Sequence, residues 1–315
     1  MMKNVYFERA IFLSWYCSKG DCKFCYMSTQ KNRIKNPKLA RRTKESILAE
    51  VLLCKKLGWN IEFLSGGYES YDFEELVGLI KTIKQVYGKK VWLNIGVLNE
   101  KELIKLKPYI EGVCGAVECV NKKIHDYMCP SKPVKEIEKM FKICNKLKIK
   151  KAMTLILGLG EKLSDFPALK KFISKNKVDK IIFYRLKPEK NTEFEKIKPI
   201  TKEYYSEWVK FTRENFTKLI INVGSWIGHF DEIKLLIKNG ANNVTKFPVI
   251  KMFGSKYAQQ IEQECNKYSK FLGTLTKLPN IKWSKEVDKM KIDEELKKRT
   301  KIKLKEYLEQ MKSKK

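Results

Sequence analysis

Three cysteines fall within nine residues: Cys17, Cys22 and Cys25 in C-S-K-G-D-C-K-F-C. Thiols this closely spaced can fold their sulfurs onto one metal centre. On a 4Fe–4S cluster, three thiolates leave one iron without a protein ligand and open to another molecule. A structural zinc site wants a fourth ligand at matching spacing and is closed. This sequence has no second C-x-x-C, and its two histidines, His125 and His229, stand alone. The donor set therefore reads as iron–sulfur rather than zinc.

A second group, Cys114, Cys119 and Cys129, is spaced C-x4-C-x9-C. By strand alternation Cys114 and Glu118 share a face and Cys119 opposes them, unless the strand ends there. The triple stays open between an auxiliary iron–sulfur cluster and ordinary core thiols. Cys54, Cys144 and Cys265 sit in helical patterns and read as core. Nine cysteines, an odd number in a chain with no secretory layout, point to reduced thiols and metal rather than disulfides.

The elements that must position these groups alternate. Short β-branched and aromatic runs occur at 10–16, 60–65, 90–95, 112–118, 151–157, 180–186, 219–223 and 243–249. Helical spacing fills segments between them, as at 46–58, 73–87 and 136–147. Thr43 with Ser46 caps the first of these helices and Gly58 ends it. Alternating strands and helices imply a parallel sheet, and eight strands predict an α/β fold, a full or partial (β/α) barrel. An open doubly wound sheet is the alternative, but no G-x-G-x-x-G follows the first strand. In such a barrel chemistry sits in loops after the strands, and Cys17 to Cys25 fall in the first. Residues 1–255 are read as the barrel and 256–315 as a helical extension packed on it. The stretch 284–315 reads as one helix with sparse apolar positions at Val287, Leu296, Leu304, Leu308 and Met311.

The 315 residues carry a formal charge of +30, from 66 basic against 36 acidic side chains. Only seven of the basic residues are Arg, and the chain is rich in Ile and Asn. That bias suits an AT-rich coding sequence better than phosphate binding, which favours the Arg fork, so the composition argues against a nucleic-acid partner. One stretch keeps local meaning: residues 22–44 hold Lys23, Lys31, Arg33, Lys35, Lys38, Arg41, Arg42 and Lys44 with no acid. This run leaves the cysteine loop and could dock an acidic carrier protein or partner subunit. The apolar content is enough for a core, and no apolar run is long enough to span a bilayer. A soluble, cytoplasmic protein is expected.

The cysteine motif, with Phe24 before its last thiol, resembles the radical S-adenosylmethionine (SAM) superfamily over roughly residues 8–255. That family's motif is C-x3-C-x2-C after the first barrel strand; here the first spacer has four residues. Other segments match in order. L-S-G-G at 64–67 resembles the Gly-rich element, which implies that Gly66 and Gly67 receive the amino group of SAM. Glu118 falls where the family places a ribose acceptor. L-I-L-G-L-G-E at 155–161 resembles the adenine-packing stretch, which implies Ile156. Arg185, in F-Y-R-L-K-P, is a candidate for the SAM carboxylate or the substrate. Phe24 would lie beside the open iron.

The resemblance implies a 4Fe–4S cluster and SAM as cofactors, and an electron donor such as a ferredoxin or flavodoxin. It also implies reductive cleavage of SAM to a 5′-deoxyadenosyl radical that abstracts hydrogen from an unactivated C–H. The wider sequence resembles the biotin-synthase-like branch and leans toward the archaeal lipoyl-synthase type, hence sulfur insertion if the second cysteine group holds a cluster. A hydrogenase-type cofactor maturase, an RNA-modifying radical SAM enzyme and a non-catalytic iron–sulfur or zinc protein are the alternatives.

Overall fold

The computed structural model describes residues 3–313. Its strands are β1 (Asn4–Phe12), β2 (Asn60–Ser65), β3 (Val91–Asn94), β4 (Ile110–Glu118) and β5 (Lys150–Leu157). They continue with β6 (Lys180–Arg185), β7 (Ile220–Gly224), β8 (Asn243–Thr245) and β9 (Lys270–Leu272). Helices α1 (Tyr26–Gln30) and α2 (Lys44–Leu57) follow β1, α3 (Phe73–Tyr87) follows β2, and α4 (Glu100–Leu106) follows β3. After β4 come α5 (Lys122–Met128) and α6 (Val134–Leu147), after β5 α7 (Phe166–Asn176), after β6 α8 (Lys202–Asn215), and after β7 α9 (Ile233–Lys238). Four more helices end the chain: α10 (Val249–Met252), α11 (Lys256–Asn266), α12 (Trp283–Asp288) and α13 (Glu294–Lys312).

Each strand from β1 to β8 pairs in parallel with the next, and β8 pairs back to β1. The sheet is a closed eight-stranded β/α barrel with no free edge among these strands. The caps fit the sequence: the Thr43 side chain accepts from the Ser46 amide, and Gly58 ends α2 in the left-handed region at φ 73°. The main apolar core lies between barrel and helices. A smaller one fills the barrel with Phe63, Trp92, Cys114, Ala152, Ile182 and Tyr184.

Three expectations need correction. The first strand runs over Asn4–Phe12, not 10–16, so four residues separate its end from Cys17. Glu8 and Arg9 break the apolar run that would have revealed it. Inside the barrel, Glu8 accepts hydrogen bonds from Lys180 at 2.8 Å and from Asn222 and Asn243. Arg9, on the opposite face, donates to Glu50 of α2 at 2.6 Å. The last barrel strand stops at Thr245 rather than 249, because Pro248 follows and the chain turns at Lys246, where φ is 73°.

The third concerns the C-terminal part. Up to residue 313 the stretch from 284 forms two helices rather than one, since Asp293 starts a new helix by capping the Leu296 amide; residues 314–315 of the expected helix lie outside the described residues. Residues 256–313 are also not wholly helical, because β9 adds to the sheet beside the beginning of β1. Val287, Leu296, Leu304 and Met311 are buried as expected, and α13 lies along α2.

Candidate cofactor site

Cys17, Cys22 and Cys25 occupy the loop between β1 and α1, at the C-terminal end of the barrel strands. Cys25 is the residue that opens α1. Backbone hydrogen bonds tie the loop to its surroundings: Ser18 N–H donates to Tyr68, and Lys23 N–H to Met128 at the end of α5. All three cysteines are half-buried and line one cavity of about 230 Å³. Phe24, Gly66, Gly67, Cys114, Glu118 and Ile156 line the same cavity. The sequence scattered these residues over about 140 positions, and the barrel gathers them at one mouth.

The glycine pair sits tightly against the cysteine loop. A Cβ on Gly67 would stand 2.3 Å from the Tyr16 carbonyl and 2.4 Å from the Cys17 Cβ, so only glycine fits. Gly66 donates its N–H to the Asn94 carbonyl at 3.0 Å. A wall of three thiols in a cavity lined by no histidine suits an iron–sulfur cluster. The sulfurs share that wall without being gathered on one point among the described residues.

Glu118 ends β4 in the left-handed region, at φ 62°, a backbone conformation that costs a non-glycine residue energy and must be held by its surroundings. Its carboxylate is buried; one oxygen accepts from Lys132 at 3.1 Å and the other from Thr154 at 3.0 Å. Each oxygen keeps a further acceptor position. Burial opposes a charge on Lys132, but the Glu118 carboxylate beside it holds its pKa well above the ordinary value.

The other expected residues separate. Arg185 is buried and occupied: its Nε donates to Glu232 at 3.2 Å, Nη2 reaches the other Glu232 oxygen, and Nη1 donates to the Ile200 carbonyl. It is therefore not free to grip a SAM carboxylate. Cys114 lies inside the barrel, packed with Phe63 and Tyr184. Cys119 and Cys129 pack elsewhere, with Met128, Leu159 and Phe194. The turn at Glu118 sends the chain out of the sheet and parts Cys119 from Cys114, so the three do not form one ligand set. Cys129 instead packs in one cluster with Cys22; its nearness lowers the Cys22 pKa, while burial raises that of Cys25 to about 11.

Sequence reasoning missed Lys132, Thr154, Tyr184 and Lys246, all of which line the cavity. Two lysines among dozens give no signal by type. Lys246 could have been suspected only from its place at the end of a barrel strand. The basic run is partly consumed within the fold. Arg41 donates to Ser70 and Glu75, Arg42 joins Arg9 on Glu50, and Lys23 pairs with Glu193 at 2.6 Å. Arg33, Lys35 and Lys38 remain exposed.

A second, larger cavity of about 990 Å³ opens beside the first and shares Ala10, Phe12 and Lys246 with it. Among the described residues no helix is long and apolar enough to cross a membrane.

The family model described as the Radical SAM superfamily matches residues 15–173. An uncharacterized protein of Methanocaldococcus jannaschii is 42% identical over 294 residues, covering 93% of this chain and 81% of that protein. Biotin synthase of Methanococcus aeolicus is 26% identical over 154 residues, 48% of this chain and 46% of that enzyme. Among solved structures, methylornithine synthase superposes with a TM-score of 0.66 at 20% identity, covering 76% of this chain and 72% of that one. At that identity the likeness concerns the fold.

Proposed function

This chain belongs to the radical SAM superfamily, and from that premise we propose that it holds a 4Fe–4S cluster on Cys17, Cys22 and Cys25 and binds SAM against Gly66, Gly67, Glu118 and Ile156. The observation that carries this reading is the convergence of those residues on one cavity at the barrel mouth. Bound there, the two cofactors supply one-electron cleavage of the sulfonium bond and hence a 5′-deoxyadenosyl radical for hydrogen abstraction.

The chain's own residues bind, orient and shield. Glu118, fixed by Lys132 and Thr154, presents its remaining acceptor positions to a ribose diol. Ile156 and Phe24 offer apolar and aromatic surface to the adenine and the cluster edge. Phe12, Phe63, Ile137 and Met140 complete an apolar lining that keeps water from a reactive centre. Anaerobic reconstitution tests this: the loaded protein should show 4Fe–4S absorption and form 5′-deoxyadenosine on reduction with SAM. Full cluster loading without SAM cleavage would refute it.

Sulfur insertion needs a second cluster as donor. The likeness to biotin synthase favours it, but the dispersal of Cys114, Cys119 and Cys129 counts against it. We therefore favour hydrogen abstraction without sulfur transfer. An iron content of about eight per chain, rather than about four, would reverse that preference. The lipoyl-synthase expectation draws no support from the relatives above. Exposed Arg33, Lys35 and Lys38, next to the cluster loop, support docking of an acidic electron donor there; turnover should then fall steeply as salt is raised.

A further inference from the structure

The second cavity has an unbalanced cationic end. Lys246 leaves β8 at φ 73°, a left-handed conformation that takes it out of the sheet at the border of both cavities. Its ammonium stands 4.4 Å from the Tyr184 ring centre and 5.3 Å from that of Trp226. Lys187 places its own ammonium 5.2 Å from the same Trp226 ring. Among the described residues no carboxylate lies within ion-pair distance of Lys246, and Lys187 has only Glu189, at 3.7 Å.

Three other cations of this cavity are already matched, Arg9 and Arg42 by Glu50 and Arg185 by Glu232; exposed Lys251 has no ion pair among the described residues. Two ammonium groups drawn to one indole, one of them half-buried, repel each other until an anion joins them. Trp226 is held for this role by an N–H···O bond of 2.9 Å to the Arg185 carbonyl. The same cavity also has a flat aromatic surface. Phe12 and Trp15 stack at 4.6 Å, and Tyr26 stands edge-on to Trp15 at 6.3 Å.

From these contacts we propose that Lys246 and Lys187 are the positioning residues for the substrate, and that the substrate is a small carboxylate with a flat apolar body. The carboxylate bridges the two ammonium groups over Trp226, and the body lies against Phe12 and Trp15. This rests on the reading of the chain as a radical SAM enzyme whose substrate cavity adjoins the cofactor cavity.

The test compares indole-3-acetate with indole-3-acetamide, equal in shape and different in charge, by calorimetry on the reconstituted protein with SAM bound. The acid should bind about ten-fold more tightly than the amide. Lys246→Met and Lys187→Met should each erase that preference, and Lys246→Arg should keep it. Lys187 is exposed, so its variant tests the proposal even if Lys246→Met fails to fold. Failure of the acid to bind, equal binding of acid and amide, or a preference that survives the methionine variants would each overturn the proposal. Formation of 5′-deoxyadenosine is followed in the same samples. Its absence at full loading strikes the enzyme reading, whereas equal binding of acid and amide to the unsubstituted protein with intact SAM cleavage strikes this inference alone.

Discussion

Lys132 Nζ lies 3.1 Å from Glu118 Oε1, and both side chains are buried where β4 meets the cofactor cavity. Removing one member of a buried pair strands the other charge away from water, typically at a cost of about 3–5 kcal/mol. Lys132→Met should therefore lose stability on that scale in urea unfolding. The double variant Glu118→Gln, Lys132→Met should recover a substantial part of it. Equal losses in single and double variants would mean that the two groups do not depend on each other.

Cysteine substitutions should divide cleanly. Replacing Cys17, Cys22 or Cys25 with Ala is expected to drop iron from about four per chain toward zero and abolish 5′-deoxyadenosine. Cys114→Ala and Cys119→Ala should leave iron near four. Iron analysis with absorption spectroscopy reads both outcomes.

Gly67→Ala places a methyl carbon 2.3 Å from the Tyr16 carbonyl, a backbone atom that cannot rotate away. The cysteine loop must then shift. The expected result is reduced cluster loading, with far-UV circular dichroism unchanged because the clash is confined to two loops. Normal iron content in this variant would show that the loop tolerates displacement.

The barrel interior predicts a pH dependence. Burial, then repulsion from Glu8, pushes the Glu62 carboxyl from 4.5 up to about 7. The folded protein therefore holds a proton that the unfolded chain releases at lower pH. This contribution to stability is complete below about pH 4.5 and is lost as pH rises toward 7. The loss is on the order of 3 kcal/mol. Glu62→Gln should flatten stability across that window, as measured by thermal unfolding at matched ionic strength.

The barrel was legible in the sequence because its strands and amphipathic helices each carry a local period, as β2 and α3 do. Residues 4–9 were harder, since Glu8 finds its partners on β6, β7 and β8, more than 170 positions away. Cys17, Cys22 and Cys25 were legible for the opposite reason: their chemistry is contained in one short loop. The resemblance marked Gly66, Gly67, Glu118 and Ile156, and the cavity gathers them. It also marked Arg185, which lines the second cavity instead and whose partner Glu232 lies on another element and leaves no local trace. Cys114, Cys119 and Cys129 depended on one backbone angle, the turn at Glu118, which no spacing rule supplies. Lys132 and Lys246 were hidden by abundance.

Strand β1 is flanked by β2 and β8, with β9 pairing along its beginning. In a chain made from its amino end, two of those three neighbours arrive last. The thiols of residues 17–25 thus precede the strands that enclose them, because the barrel cannot shut until residues near 245 have emerged. Until then no closed barrel wall stands around them.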